Sequence, residues 1–250
     1  MTKPLVVLAM TAFNREEFIS EAIESVLAQT FSDWILNIVD DGSTDSTFSI
    51  IESYVHQDDR IRVTQFLENK GIVEALREAS KLECQYLGWI DSDDLLNSEA
   101  LKFLVPYLIE NPDVDCVYSR YNTITALGVD TGLGHRCLKS YSPNKLLTNF
   151  MVFHFRLMKW DSYLDIGLDD SFYYAFDYDF FLRFSEKYLI EHFPQSLYCY
   201  RQHPKSISTT EFKMQATHAE AAINAALVRR NLSDQFQLTV NHNKFSLEAK

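Results

Sequence analysis

The chain of 250 residues sets 23 Lys and Arg against 35 Asp and Glu, a formal net charge of −12, with 46% hydrophobic residues. Such a composition excludes a disordered or collagen-like chain, and its sign makes nucleic acid and anionic lipid poor default partners. Cys84, Cys116, Cys137 and Cys199 are scattered, with no CxxC or Cys/His cluster, so neither a zinc site nor a disulfide framework is expected. A reducing, cytoplasmic setting follows. The apolar run at 5–10 is too short for a signal-peptide core, and no stretch reaches the roughly 18 apolar residues of a membrane span.

Short runs rich in β-branched and aromatic residues at 5–10, 34–39, 61–66 and 86–90 predict buried strands. Between the first two, Phe18, Ile19, Ala22, Ile23, Val26 and Leu27 share one helical face. Ile50, Ile51 and Tyr54 do the same after Ser43-Thr44-Asp45, which are good N-capping residues. Further helices are expected after Gly71 and after Ser98. Strands alternating with helices imply an α/β fold with a mostly parallel, Rossmann-like central sheet flanked by helices. The second half predicts a strand at 116–125, a loop at 127–142, a short helix at 143–150 and an aromatic helix from Asp177. A strand at 197–201, an Ala-rich helix at 212–230 and two alternating runs around Asn241-His242-Asn243 complete it. No linker separates a second domain, so residues 1–210 read as one domain with 211–250 as a helix and short β extension packed on it.

A sheet of this kind binds its ligand at the carboxyl ends of its strands. Those ends read Thr11-Ala12-Phe13-Asn14-Arg15, Asp40-Asp41-Gly42-Ser43 and Asp91-Ser92-Asp93-Asp94. Three carboxylates in four residues repel one another unless a cation or donors compensate them. Mg²⁺ or Mn²⁺, held by one or two carboxylates and the oxygens of a diphosphate, would do so; a helix-capping turn is the alternative. The Asp40-Asp41 segment reads either as a turn or as an acceptor for a base N–H or a ribose hydroxyl. No GxGxxG follows the first strand, so a dinucleotide site is not expected. His154, in an expected strand at 153–156, reads as a core histidine. Phe172, Tyr173, Tyr174 and Phe176 serve equally well as packing or as a platform for a sugar face.

Five segments in order, namely residues 12–16, 22–31, 39–45, Asn69-Lys70-Gly71 and 90–94, resemble the successive signatures of family 2 glycosyltransferases. Residues 176–183 resemble the family's catalytic-base segment, and Tyr200-Arg201-Gln202-His203-Pro204-Lys205-Ser206-Ile207-Ser208 its late basic motif. The resemblance implies a GT-A fold and inverting transfer from a nucleotide-diphosphate sugar, UDP-linked first, to a glycan, lipid-linked or protein acceptor. Residues 1–110 would then be the donor half and 111–210 the acceptor half. Asp41 matches the aspartate that contacts the base, with Thr11 and Ala12 supplying backbone nearby. Asn14, Arg15, Lys70, Arg77, Asp91, Ser92 and Arg201 fall to the nucleotide sugar, and Asp93 with His203 to the metal. Asp177 matches the general base, with Asp179 two residues away as its rival. Phe176, where many members carry an acidic residue, and Arg77, where Asn is common, depart from the pattern.

Two other readings stay open on the residues. Asp91-Ser92-Asp93 after a strand also resembles the nucleophile pair of haloacid-dehalogenase phosphotransferases, although these place it after their first strand. A non-catalytic nucleotide-sugar-binding subunit is the second. Residues beyond 200 carry seven Lys and Arg against four Asp and Glu, which leaves peripheral association with the inner face of a membrane open.

Overall fold

A computed structural model describes residues 3–206, 210–241 and 244–250. Ile207 and Ser208 of the basic motif and His242 and Asn243 of the expected turn lie outside the described residues. The first half follows the predicted alternation: β1 (Val6–Ala12), α1 (Ile19–Leu27), β2 (Trp34–Asp40), α2 (Thr47–Val55), β3 (Ile61–Gln65), α3 (Ile72–Ala79) and β4 (Tyr86–Asp91). A two-residue β5 (Leu95–Leu96) leads into α4 (Ala100–Glu110). Then come β6 (Cys116–Thr125), β7 (Asp130–Leu133), α5 (Pro143–Leu146), β8 (Arg156–Lys159), α6 (Trp160–Ile166) and α7 (Phe176–Phe184). The chain closes with β9 (Ile190–Gln202), α8 (Phe212–Arg229) and the hairpin β10 (Phe236–Asn241) and β11 (Lys244–Ala249).

Among the described residues nine strands form one sheet, ordered β3-β2-β1-β4-β8-β6-β9-β5, with β7 added to β6. The β3-β2-β1-β4 half is parallel, whereas β8 runs antiparallel to both β4 and β6. Side chains of β1 alternate between the two faces, as a strand requires. Val6, Leu8 and Met10 join α1 and α4 on one side; Val7 and Ala9 face α3, α7 and α8 on the other. All five are fully buried, each stabilising the fold by roughly 1.5–3 kcal/mol for a Val, Leu or Met side chain.

Three expectations need correction. The strand expected at 153–156 begins only at Arg156, because β8 must lie antiparallel to β4, Trp89 opposite Arg156. The loop expected at 127–142 holds β7 and a 3-10 turn at His135–Leu138, since a hairpin partner for β6 is set by pairing, not by local propensity. The strand expected at 197–201 is the end of a 13-residue strand whose early half pairs with β6 through a register shift.

Candidate active site

Register decides which residues meet. Thr11 stands opposite both Val39 and Asp91, and Ala12 opposite Asp40, so the carboxyl ends of β1, β2 and β4 form one edge. Gly42 makes the second corner of that edge. At φ +71° it takes a conformation that favours glycine, and a Cβ there would lie 2.6 Å from the Glu68 backbone. The close approach lets the β3–α3 loop reach Asp41, whose two oxygens accept the backbone N–H groups of Lys70 (2.7 Å) and Gly71 (2.9 Å). Burial pushes the Asp41 carboxyl up, and these two bonds only partly offset it. Asp41 thus works first as a clamp between loops, with one further lone pair on each oxygen.

Asn14 and Arg15 stitch the β1 loop to the β2 loop. Asn14 Oδ1 accepts from the Thr44 N–H at 2.9 Å, and the Arg15 N–H donates to Thr47 Oγ1 at 2.7 Å. The Arg15 guanidinium turns inward, its Nε donating to Asp93 Oδ2 at 3.2 Å. His203, at the end of β9, places Nε2 3.0 Å from the same oxygen. Burial alone would raise the Asp93 carboxyl, but the His203 hydrogen bond and the Arg15 charge hold it below the usual carboxylate range.

Asp91 behaves in the opposite way. Desolvation, followed by repulsion from Asp93, pushes it up to about 7. Its side chain is 45% exposed, so water screens part of that shift. Ser92 between them is buried. Asp94 is fully buried and accepts the Arg201 N–H at 2.6 Å; burial and its two acidic neighbours raise it well above the carboxylate range.

Asp177 enters from the far half of the chain, on the first turn of α7. Arg156 Nη2 lies 3.3 Å from Asp177 Oδ2, and Arg156 itself is 2% exposed. Both Arg156 and Asp177 act on the Asp91 carboxyl, so the base candidate lies within electrostatic reach of the acidic cluster. Asp179 does not. It is fully buried, its carboxylate takes Arg183 Nε at 2.8 Å, and that guanidinium also holds Ile166 and Gly167 carbonyls.

Two residues assigned from the sequence to the donor make other contacts in this structure. Arg201 is 1% exposed, its Nε, Nη1 and Nη2 donating to Asp93 O (2.7 Å), Ala126 O (3.0 Å) and Glu21 (2.7 Å). This buried guanidinium spends three of its five N–H donors within the protein and braces the Asp93 loop. Arg77 is ion-paired to Glu74 and, at 2.9 Å, to Asp170, because α3 turns it toward carboxylates. Lys70 contributes its backbone to Asp41 while its ammonium lies 4.3 Å over the Phe66 ring.

Sequence reasoning underrates His154. Its Nε2 lies 3.4 Å from Asp91 Oδ2, and its ring stacks on Tyr198 and Tyr200. Burial and the nearby Arg156 and Arg136 charges hold it neutral, well below the usual histidine range. Position 154 in an aromatic run offers no signal for this, since only the sheet brings β4 beside the β8 approach.

Asp91 and Asp93 carry the oxygen donors that a hard divalent cation such as Mg²⁺ or Mn²⁺ takes, and the His203 imidazole stands against Asp93. Asp91, Asp94 and His154 also bring donor atoms within 4.8 Å of one another, but Asp94 and His154 face the interior. The His203 side chain is buried as well, 2% exposed against 16% for Asp93, so the open side of the cluster is that of Asp91.

The family profile described as Glycosyl transferase family 2 matches residues 7–173. The chain belongs to this family. It is therefore a glycosyltransferase-family enzyme, which sets aside the haloacid-dehalogenase and non-catalytic readings. It is 31% identical to chondroitin synthase of Escherichia coli over 90% of its own length and 33% of that protein. It is 28% identical to hyaluronan synthase of Pasteurella multocida, covering 92% of this chain and 24% of the other. The chain thus spans a third or less of the length of these synthases. Among solved structures, TarS of S. aureus, in complex with UDP-GlcNAc, superposes with a TM-score of 0.73 over 92% of this chain and 70% of that one, at 20% identity. A Pyrobaculum calidifontis mannosyltransferase with GDP-Man and Mn²⁺ gives 0.67 over 92% and 65%, at 17%. These likenesses establish the GT-A fold. Among the described residues no helix is long and apolar enough to cross a membrane.

Proposed function

We propose that this enzyme transfers a sugar, with inversion, from a UDP-sugar to a hydroxyl of a growing polysaccharide, with Asp177 as general base. One observation carries the reading: Arg156 pairs with Asp177 and its charge also acts on Asp91, which supports a base near the end of the sheet where a diphosphate would leave. Support for UDP comes from the UDP and UDP-GlcNAc complexes of TarS, and support for a polysaccharide acceptor from the chondroitin and hyaluronan synthases.

Asp93 and His203 would hold Mg²⁺ or Mn²⁺, which supplies Lewis-acid stabilisation of the leaving diphosphate. The chain's own groups do the rest. Arg15 orients Asp93 and brings positive charge to a site inside a chain of charge −12. Asp41, Thr11 and Ala12 line the base end, and Arg156 keeps the Asp177 carboxylate aimed at the cleft. Asp177 removes the acceptor proton as the hydroxyl oxygen attacks the anomeric carbon from the face opposite the diphosphate. Groups in this role contribute typically about 10²–10⁴-fold in rate.

The test is a panel of UDP-, dTDP-, GDP- and ADP-sugars with and without Mn²⁺, read by thermal stabilisation and by slow donor hydrolysis. Metal-dependent stabilisation by a UDP-sugar is expected. No response to any nucleotide sugar removes the reading.

A further inference from the structure

Residues 131–160 contain no Asp or Glu, yet five Lys and Arg, in a chain with 35 acidic residues. The stretch runs from the 3-10 turn at His135–Leu138 through α5 to β8, which lies beside β4 in the sheet. Most arginines around the cleft are spent on carboxylates: Arg15 on Asp93, Arg156 on Asp177 and Arg201 on Glu21. Arg136 is different. Among the described residues it has no carboxylate partner, and its guanidinium rests over the rings of Phe153 (4.5 Å) and Phe150 (5.9 Å). Lys139 and Lys145 bond only to the neutral Asn149 and Ser140 side chains.

Position decides what such a group can do. Phe150 also carries the Arg156 guanidinium at 5.6 Å, and Arg156 holds Asp177 at 3.3 Å. Phe153 touches the His154 ring, which reaches Asp91. Arg136 is therefore two side chains away from both the base candidate, through Phe150 and Arg156, and the acidic edge, through Phe153 and His154. A guanidinium packed against aromatic rings keeps N–H donors for bidentate pairing with an oxyanion. Repulsion by Asp91, Asp93 and Asp177 would otherwise keep a negatively charged acceptor out of this cleft.

We propose that Arg136, assisted by Lys139 and Lys145, binds an oxyanion of the acceptor, a carboxylate or a phosphate, and so selects acidic glycans. This rests on the glycosyltransferase reading and names its acceptor class. The ion-free edge of the acceptor that meets Asp177 supplies the hydroxyl, while the oxyanion on the same or the preceding residue docks on Arg136.

Two matched pairs of probes test it by calorimetry on the intact chain with UDP and Mn²⁺ present. One is a glucuronate-terminated oligosaccharide against its carboxyl-reduced form; the other is a phosphate-bearing oligosaccharide against its dephosphorylated form. The charged member of at least one pair should bind tighter by about tenfold to a hundredfold, the range for a hydrogen bond to a charged group. The pair that responds tells carboxylate from phosphate. Arg136→Gln should erase the difference and Arg136→Lys should keep part of it, which a purely packing role for the side chain would not produce. Equal affinity within both pairs, binding of neither charged probe, or a preference that survives in Arg136→Gln overturns the proposal. The wild-type comparison decides on its own if Arg136→Gln does not fold. Uptake of UDP by the same preparation separates the two levels: wild-type protein that binds no UDP refutes the donor reading instead.

Discussion

Asp93 Oδ2 and His203 Nε2 lie 3.0 Å apart although 110 residues separate them in the chain. Strand β9 makes the meeting possible, because its last residues pass beside the loop that follows β4, where Arg201 anchors the backbone of Asp93 and the carboxylate of Asp94. The same brace leaves the outer oxygen of Asp93 for Arg15 and His203. Structure and chemistry are divided between neighbouring residues here: Arg201 and Asp94 hold, Asp93 and His203 present.

Loss of either presenting residue should abolish metal-dependent donor binding without unfolding the chain. Asp93→Asn and His203→Ala are each expected to lower UDP affinity in Mn²⁺ by about tenfold or more, the usual cost of a lost metal-site interaction. Titration of UDP with and without Mn²⁺ measures it. An unchanged metal dependence in both variants would contradict the assignment.

The base candidates separate cleanly by variant. Asp177→Asn should fold, keep UDP binding and lose transfer by at least about a hundredfold. Asp179→Asn should instead destabilise by about 3 kcal/mol, since it leaves the Arg183 guanidinium without its buried carboxylate. Chemical denaturation and transfer assays on both proteins check this. A stable, inactive Asp179→Asn beside an active Asp177→Asn would reverse the roles.

Titration of Asp91 links metal binding to pH. A proton on a carboxyl raised to about 7 competes with the cation, so Mn²⁺ affinity should fall as pH drops below that value. Asp91→Asn should flatten the profile. For folding the sign runs the other way. An unfolded aspartate titrates near about 3.9, so the raised group favours the folded state at low pH and this advantage is lost as pH rises through about 7. Calorimetry of Mn²⁺ and UDP in two buffers of different ionisation enthalpy detects the released proton; no proton release between about pH 6 and about pH 8, one unit on either side of the titration, would oppose it.

Asp41→Asn probes the loop clamp. A carboxamide has one acceptor oxygen, so either the Lys70 or the Gly71 N–H loses its partner, at a cost of about 1–3 kcal/mol. Melting should drop by about 2–4 °C for each kcal/mol in a chain of this size. Competition by UDP, dTDP, GDP and ADP tests the base contact in the same experiment, and a preference of the wild type for ADP would remove it.

Much of this site is legible in the amino-acid sequence, and the reason is local. Strands with apolar residues on both faces, and acidic clusters directly after them, place Asp41, Asp91 and Asp93 at one sheet edge through backbone pairing alone. The helix at Asp177 is legible because Phe180, Phe184 and Tyr188 recur at helical spacing. The choice of Asp177 over Asp179 is not, since burial of Asp179 and its ion pair depend on α6 and the Gly167 turn packing beside α7. Arg201 resembles a ligand for phosphate because its sequence neighbourhood is basic; only the crossing of β9 past the β4 loop gives it Glu21, Ala126 and Asp93 as partners. The contact of His154 with Asp91 carries no sequence signal for the same reason. Short-range spacing determines which residues share a strand end or a helix face, because that geometry repeats every two or 3.6 residues. Which charges are left without a partner is decided by contacts between segments a hundred residues apart, and no local period encodes those.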